Sequence, residues 1–326
     1  MTRAASLIAM GNRVIFIGTA EADASVFESR VRQDIPDIGI LATNDRNAAL
    51  AAAADAEVLI GHHFQFDNNM LERAPKLRWI QSLTTGTDAI LKLSALRPEV
   101  LVTSTRGMHG PQMCELLFLQ MLSLLRDTQR LSHNQSEGRW ERWPQPLLLG
   151  KTVVLVGVGA ITEHIAPRCK AFGMNVYGVS STPRIPEGFD GVFSRSELCK
   201  AAALADFLVL VVPHSPQTEN LIDAAVIAAM KPTAFLVNIA RGGVLDEDAL
   251  LAALRGKRIA GAALDVFRQQ PLPPSHPFWH TEHVMVTPLI GGMSNIYLDQ
   301  AYGVVRDNLR HYLAGRPDGL LNVVPH

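Results

Sequence analysis

Short apolar runs alternate with helical patterns along almost the whole 326-residue chain. Such alternation predicts βαβ units, because parallel strands are joined by crossovers that usually contain a helix. The first part of the chain has predicted strands at residues 13–18, 38–41, 57–61, 78–82 and 100–103. Helix candidates in this part include residues 21–32 and 47–55. The later part has predicted strands at residues 152–156, 174–179, 206–212, 234–239, 260–265 and 283–287. The pattern predicts an α/β fold with two Rossmann-like, doubly wound parallel-sheet domains.

Three further segments are distinctive. Residues 112–126 predict a long helix with apolar residues nearly all round, which we expect to be buried at a domain boundary or a subunit interface. Residues 136–150 are polar and aperiodic, and they predict a loop or arm in which Trp140 and Trp143 pack; the alternative is an arm that covers a substrate. Residues 295–313 predict a final helix with Ser294 as its N-cap.

Composition excludes several classes of protein. The chain is 48% hydrophobic and 19% charged, which is enough to bury a full core. Its net charge of −1 and the lack of a long basic block argue against nucleic acid and a membrane surface as partners. No apolar run approaches the length of a transmembrane helix. Cys114, Cys169 and Cys199 lack metal-ligand spacing, so we expect no metal site, reduced thiols and a cytoplasmic protein.

The strand at residues 152–156 leads into Gly157-Val158-Gly159-Ala160-Ile161-Thr162 and then a helical stretch. A strand, a Gly-x-Gly turn and a helix are the context of a dinucleotide fingerprint. Gly157 permits the tight turn, and Gly159 lets the backbone approach a pyrophosphate at the helix N-terminus. Thr162 stands where a third glycine is usual. The alternative interpretation is a structural turn that binds no ligand.

The end of the next predicted strand bears on the choice of cofactor. NAD-binding domains place an acidic residue there to bind the adenosine ribose, whereas this chain has Ser180. A 2′-phosphate would meet no repelling charge at Ser180, and Ser181, Thr182 and Arg184 offer donors for it. The segment favours NADP, with NAD as the alternative cofactor.

Five segments in this order resemble the D-isomer-specific 2-hydroxyacid dehydrogenases. They are Gly157-Val158-Gly159-Ala160-Ile161, the run from Val212 to Thr218, Asn238-Ile239-Ala240-Arg241-Gly242, Leu264-Asp265-Val266-Phe267 and Thr287-Pro288-Leu289-Ile290-Gly291-Gly292. Matches at residues 77–82, 86–88 and 105–107 extend the resemblance to most of the chain.

The resemblance implies a substrate domain of residues 1–108 plus 295–326, a dinucleotide-binding domain of residues 109–294, an active-site cleft between them and a homodimer supported by the long helix. It also implies hydride transfer between NAD(P) and a small 2-oxo or 2-hydroxy acid.

Arg241 matches the arginine that binds the substrate carboxylate and carbonyl, with Thr85 and Gly86 in the substrate-binding turn. The alternative for Arg241 is a capping or salt-bridging role. The implied cofactor-binding residues are Gly157, Gly159, Ala160, Ile161, Ser180, Ser181, Arg184, Val212, Pro213, Thr218, Ile239, Ala240, Asp265 and Gly291. Asp265 matches the position that faces the nicotinamide; the alternative is a strand-end cap.

The chain departs from the family at two catalytic positions. Gln270 stands in the place of the family's glutamate and Leu289 in that of its histidine. Neither side chain can act as an acid or a base at physiological pH. Other residues could supply the proton. His109, which precedes the long helix, is a better candidate than His276, His280 and His283, which we expect to be surface or capping residues. Tyr297 is predicted to face either the cleft or the core. Two hypotheses remain: an NADP-preferring 2-oxoacid reductase in which Leu289 favours a bulky apolar substrate, or a dinucleotide-responsive binding protein.

Overall fold

The computed structural model describes residues 14–20, 22–182 and 184–326. The starts of the predicted strand 13–18 and helix 21–32, Arg13 and Glu21, lie outside the described residues, as does Pro183. The chain divides into two compact units. Unit 1 is Met1–Met108 with Met293–His326, and unit 2 is His109–Gly292.

Unit 1 contains a five-stranded parallel sheet in the order β2-β1-β3-β4-β5. This is the strand order of a flavodoxin-like doubly wound sheet. The strands are β1 (Val14–Ile17), β2 (Ile40–Thr43), β3 (Val58–Gly61), β4 (Trp79–Ser82) and β5 (Leu101–Thr103). The helices are α1 (Ala24–Asp34), α2 (Arg46–Ala52), α3 (Asn68–Glu72), α4 (Asp88–Leu91) and the C-terminal helix (Tyr297–Leu313). Short 3₁₀ segments occupy Ala53–Asp55, His63–Gln65 and Pro317–Gly319.

The C-terminal helix joins the core of unit 1 through one apolar face. Ala301, Val305 and Leu309 recur every four residues, which places them on the same side of a helix, and all three are fully buried. Tyr297 is buried in the same cluster, and its hydroxyl donates a hydrogen bond to the carbonyl oxygen of Leu83 at 2.6 Å. Of the two positions open from sequence, Tyr297 therefore lies in the core.

Unit 2 contains a seven-stranded parallel sheet in the order β12-β11-β10-β9-β6-β7-β8. The strands are β6 (Thr152–Val156), β7 (Asn175–Ser180), β8 (Gly191–Ser194), β9 (Phe207–Leu210), β10 (Phe235–Asn238), β11 (Gly261–Leu264) and β12 (Val284–Val286). The helices are α5 (Gly110–Arg126), α6 (Thr128–Ser136), α7 (Ala160–Ala171), α8 (Leu198–Leu204), α9 (Ala224–Ala229) and α10 (Glu247–Arg255). Short 3₁₀ segments occupy Arg195–Glu197, Gly242–Val244 and Pro277–His280.

The strand order of unit 2 reverses at β6, as in a dinucleotide-binding Rossmann sheet. Ligands bind such sheets beyond the carboxyl ends of the strands at the reversal point. The predicted fold class, two doubly wound α/β domains with parallel sheets, is confirmed.

Two elements of unit 2 were not predicted from sequence. Helix α6 has a single large apolar residue, Leu131, so it shows no periodicity; the Asp127 side chain caps it by accepting the N–H of Arg130. Strand β8 is Gly-Val-Phe-Ser, too short to form an apolar run.

Two local predictions were wrong. The predicted loop at residues 136–150 has no helix or strand beyond Ser136, but Trp140 is 92% exposed. The Arg130 guanidinium stacks on Trp143, 4.1 Å from the ring centroid, so the two tryptophans differ in their environment. Ser294 does not cap the C-terminal helix, because its hydroxyl donates to Gln300 Oε1 and Ile296 takes the N-cap position.

Helix α5 is buried on most of its surface, as its sequence predicts, and Leu119, with half its surface exposed, lies on its open side. Across the described ranges, every helix is too short or too polar to span a lipid bilayer.

Candidate active site

The turn between β6 and α7 has the backbone of a dinucleotide-binding loop. Gly157 has φ of +108°, and a Cβ there would lie 3.0 Å from the backbone nitrogen of Val212. The positive φ favours glycine, and an added Cβ would also crowd the Val212 backbone. A Cβ at Gly159, in contrast, would meet no described atom within 4 Å. The space beside Gly159 is therefore open, as a pyrophosphate approaching the backbone requires.

Thr162 replaces the third glycine without disturbing the turn. Its side chain is buried, and Oγ1 accepts the Gly159 N–H at 2.9 Å and donates to the Gly159 carbonyl at 3.0 Å. The hydroxyl thus caps α7 from within its first turn. The N–H groups of Ala160 and Ile161 have no carbonyl one turn earlier within the helix, so they are available to an anion at this helix end.

The segment after β7 contains the residues predicted to bind an adenosine 2′-phosphate. β7 pairs with β6, and Val179 aligns with Val156, so Ser180 and the Gly157 turn lie at the same edge of the sheet. Ser180 Oγ accepts the N–H of Thr182 at 3.0 Å, and Ser181 is exposed. The Arg184 guanidinium forms an ion pair with Glu163 in the first turn of α7. Sequence reasoning missed Glu163; βαβ topology, which places the start of α7 beside the end of β7, was the available signal.

Hydrogen bonds within the loop after β9 hold its shape. Thr218 is buried, and its Oγ1 donates to the Pro213 carbonyl at 2.8 Å and accepts the Ser215 N–H at 2.7 Å. Its hydroxyl therefore holds the turn that carries Val212 and Pro213. Val212 is buried, with its backbone against Gly157, whereas Pro213 is exposed.

Arg241 follows β10 on a fixed backbone. The fully buried Asn238 side chain accepts the Ala240 N–H at 3.0 Å and donates to the Arg241 carbonyl at 3.1 Å. Gly242 lies so close to the next loop that a Cβ would be 2.0 Å from the carbonyl carbon of Phe267. The Arg241 side chain is half-buried, and Nη1 donates to the Ala240 carbonyl at 2.7 Å. Ile239 and Ala240 are buried.

Asp265 fixes the loop that follows β12. Its carboxylate accepts hydrogen bonds from Thr287 Oγ1 at 2.6 Å, the Ile290 N–H at 3.1 Å and the Gly291 N–H at 3.0 Å. Burial raises the pKa of this carboxyl group, although the three hydrogen bonds act in the opposite direction. These hydrogen bonds match the second interpretation of Asp265, in which it caps the end of a strand. Its contact with a nicotinamide stays a prediction.

Gln270 and Leu289, which were predicted to occupy the family's acid–base positions, follow strands that end at the same sheet edge as the strand before Arg241. Asn238, Leu264 and Val286 align across β10, β11 and β12, so the loops that carry Arg241, Gln270 and Leu289 leave neighbouring strands at matching points. Gln270 is exposed. Leu289 is 48% exposed, has φ of +57° and donates its N–H to the Asp265 carbonyl at 3.0 Å.

The four histidines considered as other proton donors differ in burial and in local role. His109 is buried at the N-cap position of α5, and a Cβ at Gly292 would lie 3.4 Å from its Cδ2. His276 accepts the N–H of Phe278 through Nδ1 at 3.3 Å, as a capping residue does. His280 and His283 are exposed. Within the described ranges no group of three or more His, Cys, Asp or Glu side chains is arranged to hold a metal ion.

The predicted substrate-binding turn of unit 1 follows β4. Thr84 Oγ1 donates to the Gly86 carbonyl at 2.9 Å and lies 3.2 Å from His63 Nδ1. Thr85 and Gly86 are half-exposed. His63, which sequence reasoning missed, lies two residues after the end of the neighbouring strand β3 and contacts this turn through Thr84.

The reversal of strand order at β6 and the open turn beside it define a dinucleotide-binding domain. The family described as "D-isomer specific 2-hydroxyacid dehydrogenase, NAD binding domain" matches residues 118–291. D-3-phosphoglycerate dehydrogenase of Methanocaldococcus jannaschii is 31% identical over 295 residues, covering 88% of this chain. The chain spans only 55% of that relative's length.

Solved structures agree with the sequence match. A D-isomer specific 2-hydroxyacid dehydrogenase family protein from Aeromonas salmonicida subsp. salmonicida A449 has a TM-score of 0.88 and 32% identity, covering 97% of this chain and 99% of that one. The NADPH-dependent glyoxylate/hydroxypyruvate reductase of Sinorhizobium meliloti, solved with NADP and sulfate, has a TM-score of 0.82 and 25% identity, covering 96% and 98%. The chain belongs to the D-isomer specific 2-hydroxyacid dehydrogenase family. Members of this family include NAD(P)-dependent oxidoreductases of small hydroxy acids, such as the Sinorhizobium meliloti reductase.

Proposed function

We propose that this protein is an NADP-preferring reductase of small 2-oxo acids in which Arg241 binds the substrate carboxylate. The bound dinucleotide supplies the hydride. Unit 2 holds it, with Gly157, Gly159, Ala160 and Ile161 at the pyrophosphate and Ser180, Ser181 and Arg184 at the adenosine end. In the same proposal Val212, Pro213, Ile239, Ala240, Asp265 and Gly291 line the dinucleotide, and Thr85 and Gly86 of unit 1 contact the substrate.

The fixed backbone of Arg241 supports this proposal most strongly. Asn238 bonds to the residues on both sides of the Ala240–Arg241 peptide, and Gly242 packs directly on the loop after β11. The Arg241 backbone is therefore held in place at the edge where a Rossmann sheet binds its ligand, and the side chain extends from that fixed point. A planar guanidinium can bind a carboxylate through two parallel hydrogen bonds and polarise the adjacent carbonyl.

Proton delivery sets the rate in this proposal. General acid catalysis contributes about 10²–10⁴-fold, and neither Leu289 nor Gln270 can supply it. Water then protonates the developing alkoxide while Arg241 stabilises its charge, so turnover is slow. The half-exposed Leu289 side chain adds apolar surface at this edge, which favours a 2-oxo acid with an apolar tail.

Cofactor preference follows from charge. Ser180 brings no carboxylate to the end of β7, and Arg184 brings a cation. The Sinorhizobium meliloti relative is described as NADPH-dependent, which supports the same preference.

A hydride-transfer assay tests the proposal. The protein is mixed with NADPH or NADH and a panel of glyoxylate, hydroxypyruvate and branched or aromatic 2-oxo acids. We expect slow oxidation of NADPH, fastest with an apolar-tailed acid. Arg241→Lys should lower kcat/KM by about 10²-fold, because a lysine cannot form the paired hydrogen bonds. Arg255→Lys, at the exposed end of α10, is the matched control and should leave the rate unchanged. Tight NADPH binding without turnover of any acid would favour the dinucleotide-responsive binding protein instead.

We also propose a cytoplasmic homodimer that buries the open side of α5. Leu119 is 50% exposed there, and the Phe118 ring packs against Phe172, itself half-exposed, with centroids 4.7 Å apart. Contiguous exposed apolar groups of this kind mark association surfaces. Light scattering of the purified protein should give twice the mass of the 35.5 kDa chain. Leu119→Arg should yield monomers, whereas Glu115→Arg, one turn earlier on the same helix, adds charge without removing apolar surface.

A further inference from the structure

We propose that Glu163 determines how strongly the protein prefers NADP over NAD. This inference rests on the proposed cofactor site. Glu163 holds the Arg184 guanidinium when no 2′-phosphate is present, so a phosphorylated cofactor must displace a carboxylate from Arg184. A cofactor without the 2′-phosphate leaves the pair intact.

The ion pair joins the two sequence elements that meet at the adenosine end of a Rossmann site. Glu163 belongs to the first turn of α7, directly after the Gly157–Thr162 turn. Arg184 lies in the segment between β7 and β8. Their contact therefore spans the space between the predicted pyrophosphate position and the predicted 2′-phosphate position.

Arg184 and Glu163 are both exposed enough for a phosphate to replace Glu163 as the partner of Arg184. The Arg184 side chain is 59% exposed and that of Glu163 is 36% exposed. An exposed ion pair contributes little to stability, because water and salt screen it and two long side chains must be ordered. A phosphate dianion is a stronger partner for a guanidinium than a single carboxylate. Exchange of the partner on Arg184 is therefore favourable, but the displaced Glu163 carboxylate stays close to the incoming phosphate and repels it.

The other donors of the segment are neutral. Ser180 Oγ accepts a hydrogen bond from the Thr182 N–H, and its own proton stays available for a ligand. Ser181 is exposed beside it. These hydroxyl groups bind a ribose hydroxyl and a phosphate oxygen alike, so discrimination between the two cofactors depends on Arg184 and on the carboxylate that competes for it.

Calorimetric titration with cofactor fragments tests this proposal without turnover. The probes are adenosine 2′,5′-bisphosphate, which carries the 2′-phosphate, and 5′-AMP, which lacks it. Glu163→Gln keeps the size of the side chain and removes its charge. We expect it to tighten binding of the bisphosphate by about fivefold or more, which is the scale of an exposed ion pair plus relief of a charge repulsion. Affinity for 5′-AMP should stay within about twofold.

A double-mutant cycle shows whether the effect passes through Arg184. Arg184→Gln should weaken bisphosphate binding by about tenfold, and Glu163→Gln should then have a smaller effect in that background, because only the relief of charge repulsion remains. Glu187→Gln removes the same charge from an exposed residue of the same segment and should leave both affinities unchanged. Glu163→Ala provides a second neutral variant with the same expected direction.

The outcomes separate this inference from the proposed function. Fragment binding that is unchanged in Glu163→Gln and Glu163→Ala would overturn the role of Glu163 while leaving the cofactor site intact. A tighter bisphosphate complex in the Glu187→Gln control as well would also overturn it, because the effect would then reflect net charge alone. Failure of wild-type protein to bind either fragment, NADPH or NADH would overturn the proposed cofactor site itself.

Discussion

The Asp265 carboxylate accepts a hydrogen bond from the backbone N–H of Gly291 at 3.0 Å, across the ends of two neighbouring strands. The Ile290 N–H donates a second hydrogen bond to this carboxylate, and the Leu289 N–H donates to the Asp265 carbonyl. Leu289 is therefore presented on a loop with a defined backbone rather than on a loose connection. A side chain that replaces Leu289 should therefore leave the backbone at the same point of this loop.

The first prediction concerns restoring the acid–base pair. Gln270→Glu combined with Leu289→His should raise turnover at least about tenfold, because the pair returns general acid catalysis to the site. Histidine tolerates the left-handed backbone of residue 289 better than leucine does, so the fold should not suffer. Steady-state rates with NADPH and the best 2-oxo acid provide the measurement.

Gln270→Glu with Leu289→Asn is the matched control. Asparagine also tolerates a positive φ, but it does not titrate near neutral pH. A folded, cofactor-binding double variant with histidine that turns over no faster than this control would contradict the proton-source argument.

The second prediction concerns pH. Because burial raises the folded-state pKa of Asp265 above its ordinary value of 3.8, the folded protein keeps this proton to higher pH than the unfolded chain does. The associated stabilisation is complete below the unfolded pKa and is lost as pH rises through the folded pKa. Asp265→Asn has no such dependence. The difference in free energy of unfolding, wild type minus Asp265→Asn, should fall as pH rises from about 3.8 and then level off.

Urea titrations of both proteins across this range measure that difference. Thr287→Val removes one hydrogen bond to the carboxylate but leaves the carboxyl group to titrate, so it should keep the wild-type direction of the pH dependence. A difference that rises with pH would show that the hydrogen bonds to Asp265 outweigh its burial.

Sequence patterns predicted the parts of this protein that rest on local signals. Strands β6, β9 and β10 are short apolar runs dominated by Val, Leu and Phe, and the Gly157 turn lies between a strand and a helix, the context that makes its glycines informative. The use of Thr162 as an internal cap and the pairing of Glu163 with Arg184 were not predicted. Both depend on where a side chain lies relative to a partner, and Glu163 and Arg184 are 21 residues apart in sequence.

The third prediction concerns thiol reactivity. Burial raises the pKa of the Cys169 thiol to about 12 and also raises that of Cys114. Because the thiolate is the reactive form, both should resist iodoacetamide at pH 8 in the folded protein. Cys199 is exposed and should react. Mass spectrometry of intact protein should show one label on the native chain and three after denaturation, and Cys199→Ser should abolish native labelling. Native labelling of Cys114 on α5 or Cys169 on α7 at the rate of Cys199 would contradict the buried packing of these two helices.

The last prediction separates two glycines of the site by the reason for their presence. At Gly242 an added Cβ would lie 2.0 Å from the carbonyl carbon of Phe267, so Gly242→Ala must push apart the loops after β10 and β11. We expect a loss of at least about 1–3 kcal/mol in the free energy of unfolding, the usual cost of overpacking. At Gly159 an added Cβ meets no described atom within 4 Å, so Gly159→Ala should unfold like the wild type.

Cofactor affinity should separate the same two glycines. The methyl group of Gly159→Ala enters the space through which the backbone approaches a pyrophosphate, so NADPH binding should weaken although stability is unchanged. Thermal unfolding and fluorescence titration with NADPH provide the two measurements. If Gly159→Ala bound NADPH as tightly as the wild type, the open space beside this turn would not be the pyrophosphate position, and the dinucleotide would have to lie elsewhere on unit 2.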